Sequence, residues 1–208
     1  MNEWIKQFVL LWSVIDPIGT IPVFIAVTAS IKNPVMIRHI AYKAITIAAL
    51  VMLFFVMMGE MLLDAMGIPL EAFQVAGGLV LFLFALSMIF GESKPEEEIS
   101  MVAKGMQTAV FPLAIPSVAS PGAMMAAVLL TDNHRFSFVH QIGTSMVILS
   151  VLMITLVFML LASRILKIIG EGGASVISRV MGLILAAVAV NSVLAGIQIY
   201  FGLERFSS

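Results

Sequence analysis

Long runs of apolar residues, separated by short clusters of charge, dominate this chain of 208 residues. A membrane-spanning helix needs about 20 mostly apolar residues. Six runs come close to that length or exceed it: Gln7–Ile31, Ala44–Gly59, Ala72–Gly91, Gly105–Thr131, Phe136–Ser163 and Val180–Leu203. The second run reaches full length only if Lys43 and Glu60 extend their charged groups towards the interfaces. The pattern therefore predicts an all-α membrane protein with six transmembrane helices and short loops.

The composition agrees with this prediction and excludes several classes of protein. Hydrophobic residues make up 61% of the chain and charged residues 11%, with a mean hydropathy of +1.12. Soluble domains carry about 25% charged residues, so a water-soluble domain is excluded. The net charge of -1 gives no basis for binding nucleic acid. The chain has no cysteine, which excludes disulfides, thiolate metal sites and cysteine nucleophiles.

The sequence contains none of the motifs that enzymes use for nucleophilic, zinc or phosphate chemistry. Its three histidines lie at span ends without metal-ligand spacing. We therefore expect no enzyme activity, no cofactor and no metal site. We also expect the first apolar run to be retained rather than cleaved as a signal, because Asp16-Pro17 interrupts it and no small-x-small cleavage site follows.

The distribution of lysine and arginine predicts the orientation of the chain in the membrane. With six spans, one side holds three of the eleven basic residues and the other side holds eight. The side with eight basic residues should be cytoplasmic, which places both termini outside and the loop 92–104 inside. We expect a single membrane domain covering residues 1–208.

The two halves of the chain resemble each other when the sequence is shifted by 104 residues. Asp16-Pro17 then falls on Ser120-Pro121, and the segment that begins at Gly78 falls on the segment that begins at Gly182. The repeats would cover about 1–91 and 105–208. Each contains three predicted spans, so the second repeat must enter the membrane from the opposite side. Such inverted repeats are typical of secondary transporters, whose substrate sites lie at the repeat interface. The alternative is a gene duplication with no present functional meaning.

Prolines near the middle of the first and fourth spans predict that both helices are broken there. One segment contains Asp16-Pro17 and Pro22, and the other contains Pro112, Pro116 and Ser120-Pro121. Proline inside a helix removes a donor and clashes with the preceding turn. Asp and Ser are preferred N-cap residues, and Pro is favoured at the first helical position. We expect a new helix to start at each site, facing a polar cavity and able to bind a carboxylate. The alternative is a kink that only shapes helix packing.

Asp16 is the only carboxylate deep inside a predicted span. An ionised group in the membrane interior costs at least about 2.5–3.5 kcal/mol, so its presence calls for a function. We expect it to couple transport to a proton or Na⁺, or to bind a substrate ammonium. The alternative is a role as a helix cap only. Its counterpart in the second repeat, Ser120, does not ionise, so any coupling charge is asymmetric.

Polar residues near the predicted breaks form the candidate substrate site. Asn191 is added because the 104-residue shift relates it to Ser87, although either side chain could instead hold helices together by hydrogen bonds. The candidate substrate-binding residues are Asp16, Pro17, Gly19, Thr20, Ser120, Pro121, Gly122, Ala123 and Asn191. Asp16 is also the candidate ion-coupling residue.

The two proline segments, together with the segment Arg179–Leu185, resemble the MarC family of bacterial and archaeal inner-membrane proteins. The resemblance covers essentially the whole chain. It implies a relation to the lysine-exporter superfamily and to transporters of small neutral amino acids such as glycine and alanine. At position 20 the chain has Thr where many relatives have Asn, which bears on the substrate rather than on the fold.

The sequence thus favours a secondary transporter of small neutral amino acids, or similar small carboxylates, that works by alternating access. Its expected partners are the lipid bilayer, the substrate and a coupling proton or Na⁺. The alternative is a non-transporting membrane scaffold in which the broken helices are architectural. A third class, an intramembrane hydrolase, has no constellation of nucleophile and base in its favour.

Overall fold

The computed structural model describes residues 3–29, 31–90, 112–131 and 138–203. These residues form an all-helical bundle. Seven helices in the described ranges are α1 Glu3–Ile15, α2 Thr20–Thr28, α3 Pro34–Ala65, α4 Leu70–Phe90, α5 Pro121–Leu130, α6 Phe138–Leu160 and α7 Ala162–Tyr200. A short π-helical segment, Leu113–Val118, precedes α5.

Four helical segments are long and apolar enough to cross a membrane: Pro34–Ala65, Leu70–Phe90, Phe138–Leu160 and Ser175–Tyr200. A fifth span is possible if α1 and α2, which are bent by 41° at their junction, cross together. Within the predicted fourth span only 112–131 is described, and α5 has 10 residues. At 1.5 Å per residue α5 covers about half of a bilayer core of roughly 30 Å. The predicted loop 92–104 lies outside the described residues.

The helices extend beyond the apolar runs that predicted them. α3 has 32 residues and includes Lys43 and Glu60, because its ends are set by local capping rather than by charge. Asn33 accepts a hydrogen bond from the Val35 amide at 2.9 Å, and Pro34 occupies the first turn. At the other end Gly67 adopts a φ of 65°, a conformation that glycine provides at helix C-termini. The sixth predicted span likewise starts earlier, since α7 is helical from Ala162 apart from a break at Gly170.

The longest helix contact joins α4 and α7, which run antiparallel and approach closely at glycines. A Cβ atom on Gly78 would lie 2.9 Å from the Ala189 carbonyl oxygen. A Cβ atom on Gly182 would lie 3.2 Å from the Ala85 carbonyl oxygen. The small residues therefore let the two backbones meet, as in many membrane helix pairs. The two contacts are equivalent under a 104-residue shift, which relates Gly78 to Gly182 and Ala85 to Ala189.

Large apolar side chains cover the outside of the bundle. Met57 on α3 is 75% exposed, Leu83 on α4 is 66% exposed and Met153 on α6 is 56% exposed. The interior is built around the ends of α1, α2 and α5, where Val14, Ile15 and other residues are fully buried. An apolar exterior around a packed interior is the arrangement that a lipid environment requires.

Candidate functional site

The first helix break comprises residues 16–19 and is organised by Asp16. Asp16 has a φ of 49°, in the left-handed region that Asp tolerates better than most residues. Its Oδ1 accepts a hydrogen bond from the Gly19 amide at 3.0 Å. Its backbone carbonyl accepts from the amide and from the hydroxyl of Thr20 at 3.1 and 3.0 Å. Asp16 thus accepts hydrogen bonds from two amides and one hydroxyl at the start of α2, where helix amides lack intrahelical partners.

The prediction that α2 begins at Pro17, with Asp16 as its N-cap, is wrong in detail. Residues 17–19 form a turn, and α2 begins at Thr20 with Gly19 in the preceding position. The physical reason is the left-handed backbone of Asp16, which differs from the extended conformation of an ordinary N-cap. The carboxylate nevertheless reaches the amide three residues ahead, as an N-cap side chain would.

Ser178 of α7 completes the surroundings of Asp16. Its hydroxyl donates to Asp16 Oδ2 at 3.1 Å, and both side chains are almost fully buried. The two donors described for this carboxylate, a backbone amide and a hydroxyl, are both neutral. A buried carboxylate held only by neutral donors keeps a large desolvation cost.

The second helix break comprises residues 112–120 and ends in a regular N-cap. Ile115 is extended, with φ -136° and ψ 125°, so the helical path is interrupted there. Ser120 has φ -71° and ψ 156°, and its Oγ accepts from the Ala123 amide at 3.1 Å. Pro121 occupies the first turn of α5. The predicted cap at Ser120-Pro121 is confirmed.

The two breaks are in contact with each other. The Ser117 hydroxyl donates to Thr20 Oγ1 at 3.4 Å, and the Ser120 hydroxyl donates to the Val14 carbonyl oxygen at 3.4 Å. All four residues are buried. The second contact gives a partner to a carbonyl in the last turn of α1, a position at which helix carbonyls lack one. Two polar interruptions, one from each half of the chain, therefore meet inside the bundle.

Neither of the two cavities that the described residues line is the expected polar cavity between the breaks. Two cavities are described, one of about 170 Å³ beside Gln74 and one of about 480 Å³ beside Tyr200, and neither is lined by residues of the breaks. The Thr20 and Ser117 hydroxyls contact each other directly, so a ligand that bound between them would have to separate the two breaks.

Most of the predicted site residues are brought together. The buried residues at or next to the breaks are Asp16, Pro17, Gly19, Thr20, Ser120, Gly122 and Ala123. Pro121 is exposed, and so is Asn191. Asn191 lies thirteen residues beyond Ser178 on α7, roughly 20 Å along the helix, so the structure does not bring it to the breaks. In the described ranges no group of three His, Cys, Asp or Glu residues is arranged to hold a metal ion.

Comparison with known proteins gives a consistent match over the whole chain. The family model described as "MarC family integral membrane protein" matches residues 1–201. A UPF0056 membrane protein from Buchnera aphidicola subsp. Baizongia pistaciae is 32% identical over 97% of this chain and 99% of its own length. The UPF0056 inner membrane protein YhgN from Escherichia coli strain K12 is 34% identical over 96% of this chain and 98% of its own length.

An archaeal relative is equally similar. The UPF0056 membrane protein MJ1677 from Methanocaldococcus jannaschii is 35% identical over 95% of this chain and 97% of its own length. No solved structure matches the chain.

Proposed function

We propose that this chain, which belongs to the MarC family of integral membrane proteins, is a secondary transporter of small neutral amino acids or similar small carboxylates. It is a multi-pass membrane protein. The name of the relative YhgN, an inner membrane protein, supports the same location for this chain. The single observation that carries the proposal is the meeting of two polar helix breaks around a buried, neutrally held carboxylate.

The size and chemistry of the residues at the breaks support a small zwitterionic substrate. Gly19, Gly122 and Ala123 leave little side-chain bulk near Asp16 and Ser120. The positive end of α5, beside Ser120, would attract the substrate carboxylate. Asp16 would accept hydrogen bonds from the substrate ammonium. A net-neutral amino acid satisfies both groups and brings no uncompensated charge into the membrane.

Alternating access would follow from an inverted repeat, and one contact supports that arrangement. Gly78 and Gly182 make equivalent antiparallel contacts between α4 and α7, as two repeats related by an axis in the membrane plane require. The proposal includes six spans, the first and fourth broken, with both termini outside as the basic residues predict. It also includes the relation to the lysine-exporter superfamily that the resemblance implies. In this proposal the conformation with the two breaks in contact is the closed state of the transport cycle.

The coupling ion is proposed to act at Asp16. A proton or Na⁺ that bound this carboxylate would offset its desolvation cost, and a change in the distance to Ser178 would couple that binding to movement of α7. Asp16 is the only buried carboxylate among the described residues. Ion binding and substrate binding would therefore influence each other through the same carboxylate.

A non-transporting scaffold is the second candidate. The direct hydrogen bonds between the two breaks favour it, because each break gives the other a polar partner. In that case Asp16 and Ser120 would only satisfy backbone donors, as their hydrogen bonds to Gly19 and Ala123 do. The two candidates differ in whether any solute crosses the membrane.

Uptake by reconstituted protein separates the two candidates. Proteoliposomes that contain the purified chain should take up labelled alanine or glycine well above empty vesicles when a proton or Na⁺ gradient is imposed. The measurement is the initial rate of uptake with each gradient in each direction, with an acidic amino acid and a sugar as solute controls. Uptake of alanine and glycine at the empty-vesicle level under every gradient would reject amino acid transport and leave the scaffold.

A further inference from the structure

The cavity of about 170 Å³ lies outside the two breaks and is shared by both halves of the chain. Its walls come from α1 and α4 of the first half and from α5 and α7 of the second half. The lining residues are Leu10, Leu70, Gln74, Leu81, Ala126, Leu129, Leu130, Val188 and Ser192. Most of these are aliphatic, and none carries a charge.

Gln74 is the unusual member of this lining. Its Oε1 atom is fully buried and accepts no hydrogen bond. Leaving a buried acceptor without a donor is costly, so such a group calls for an explanation. The terminal amide torsion of glutamine is broad and roughly two-fold, so a half-turn about it exchanges the positions of the oxygen and the nitrogen. The Ser192 side chain lines the same space and carries a hydroxyl that both donates and accepts.

These features define the kind of molecule that would fill the cavity. An amide and a hydroxyl supply both donors and acceptors, while the absence of charge from the lining excludes an occupant with a net charge. The aliphatic walls favour a short apolar group. At the ~30 Å³ that a water molecule occupies in the liquid, the volume accommodates about six non-hydrogen atoms. Alanine, a net-neutral zwitterion with a methyl group, meets all of these conditions.

Leu81 connects this cavity to the second break. It is 2% exposed, it lines the cavity, and its Cδ2 atom would lie 2.6 Å from a Cβ atom on Gly122. The Leu81 side chain therefore lies between the cavity beside Gln74 and the backbone next to Ser120.

We propose that the cavity beside Gln74 is a second binding site for a small neutral amino acid, next to the site at the breaks and separated from it by Leu81. The ammonium group donates to Gln74 Oε1, and the carboxylate accepts from Ser192 and from the Gln74 amide nitrogen. The identity of the ligand rests on the proposed function, whereas the existence of the site rests on the cavity and on the unsatisfied amide.

Saturation binding of radiolabelled alanine to the purified chain in detergent tests this site. The wild type should bind two molecules per chain, and Gln74→Leu should bind one. The substitution keeps the size of the side chain and removes an unsatisfied buried amide, so the variant should fold and melt at or above the wild-type temperature. Ala126→Leu, which fills the same cavity from α5, should also bind one. Gln198→Leu, near the end of α7, is the matched control and should bind two.

The outcomes separate this site from the transport activity. In proteoliposomes Gln74→Leu should raise the KM for alanine by about tenfold, the effect of losing hydrogen bonds to charged groups. Unchanged stoichiometry and unchanged KM in Gln74→Leu would overturn the second site even if the wild type transports alanine. Loss of one bound alanine in Gln74→Leu, with no uptake by any variant, would support the site and reject transport. A wild type that binds no alanine would overturn the site.

Discussion

Gly19→Ala should reduce alanine uptake to the level of empty vesicles. A Cβ atom at this position would collide with the Asp16 carboxylate and would lie 2.9 Å from Ser178 Oγ. The neighbours are not free to yield, because Asp16 is held by the Gly19 amide and by the Ser178 hydroxyl. The methyl group must therefore push the carboxylate away from α7 and distort the first break. Overpacking of this kind typically costs about 1–3 kcal/mol, so the melting temperature should also fall.

Gly172→Ala is the matched control for this substitution. It makes the same chemical change on α7, where no atom lies within 4 Å of the added Cβ. Its uptake and its melting temperature should equal those of the wild type. Uptake by Gly19→Ala within twofold of the wild type would contradict the role assigned to the first break.

Asp16→Asn should abolish ion-driven accumulation of substrate while preserving the fold. Asparagine keeps an oxygen that accepts from the Gly19 amide, and its amide nitrogen can donate to the Ser178 hydroxyl, so both contacts survive in altered form. Only the negative charge is lost. Because that charge is what a proton or Na⁺ would bind, the ratio of internal to external alanine should fall to one under every gradient. The measurement is steady-state accumulation with and without each imposed gradient.

Asp64→Asn provides the comparison for the loss of a charge. Asp64 is an exposed residue near the end of α3, so its substitution should leave accumulation unchanged. If Asp16→Asn accumulates alanine with the same dependence on pH and Na⁺ as the wild type, Asp16 is a helix cap and not the coupling group.

The helix breaks were predictable from sequence because their causes are local. Proline removes its own amide and constrains its neighbours whatever the rest of the chain does. Ser120, which precedes Pro121, caps α5 as predicted. Asp16, which precedes Pro17, does not start a helix at the proline, because its left-handed backbone shifts the start of α2 to Thr20. The positions of the prolines therefore predict where a helix is broken. The backbone conformation of the residue before the proline determines where the next helix begins.

Ser178 could not be found in the same way. It lies 162 residues from Asp16 and next to Arg179, at the edge of a charged stretch that precedes the predicted sixth span. Nothing in the local pattern distinguishes it from an ordinary loop serine. Its role arises only because α7 begins earlier than its apolar run and packs beside the first break.

Asn191 shows that a repeat relation does not by itself predict where a side chain lies. The 104-residue shift relates Asn191 to Ser87, yet Ser87 bonds to the Phe84 carbonyl at 2.7 Å and Asn191 is exposed. A repeat fixes the order of helices but not which face of each helix turns inward. The sequence does not predict the location of Gln74 either, because a lone polar residue in an apolar span carries no positional signal. Its unsatisfied oxygen is visible only in three dimensions.

If the two breaks must separate for a substrate to cross the membrane, a reversible cross-link between them should block transport. Thr20 and Ser117 have hydroxyl oxygens 3.4 Å apart, and the chain has no cysteine of its own. Thr20→Cys/Ser117→Cys places two thiols at these contacting positions, where oxidation is expected to join them in a disulfide. Each single variant serves as a control, and the intact mass confirms the bond. Oxidation of the double variant should stop alanine uptake, and reduction should restore it. Equal uptake by the cross-linked and the reduced protein would show that transport does not require the two breaks to separate.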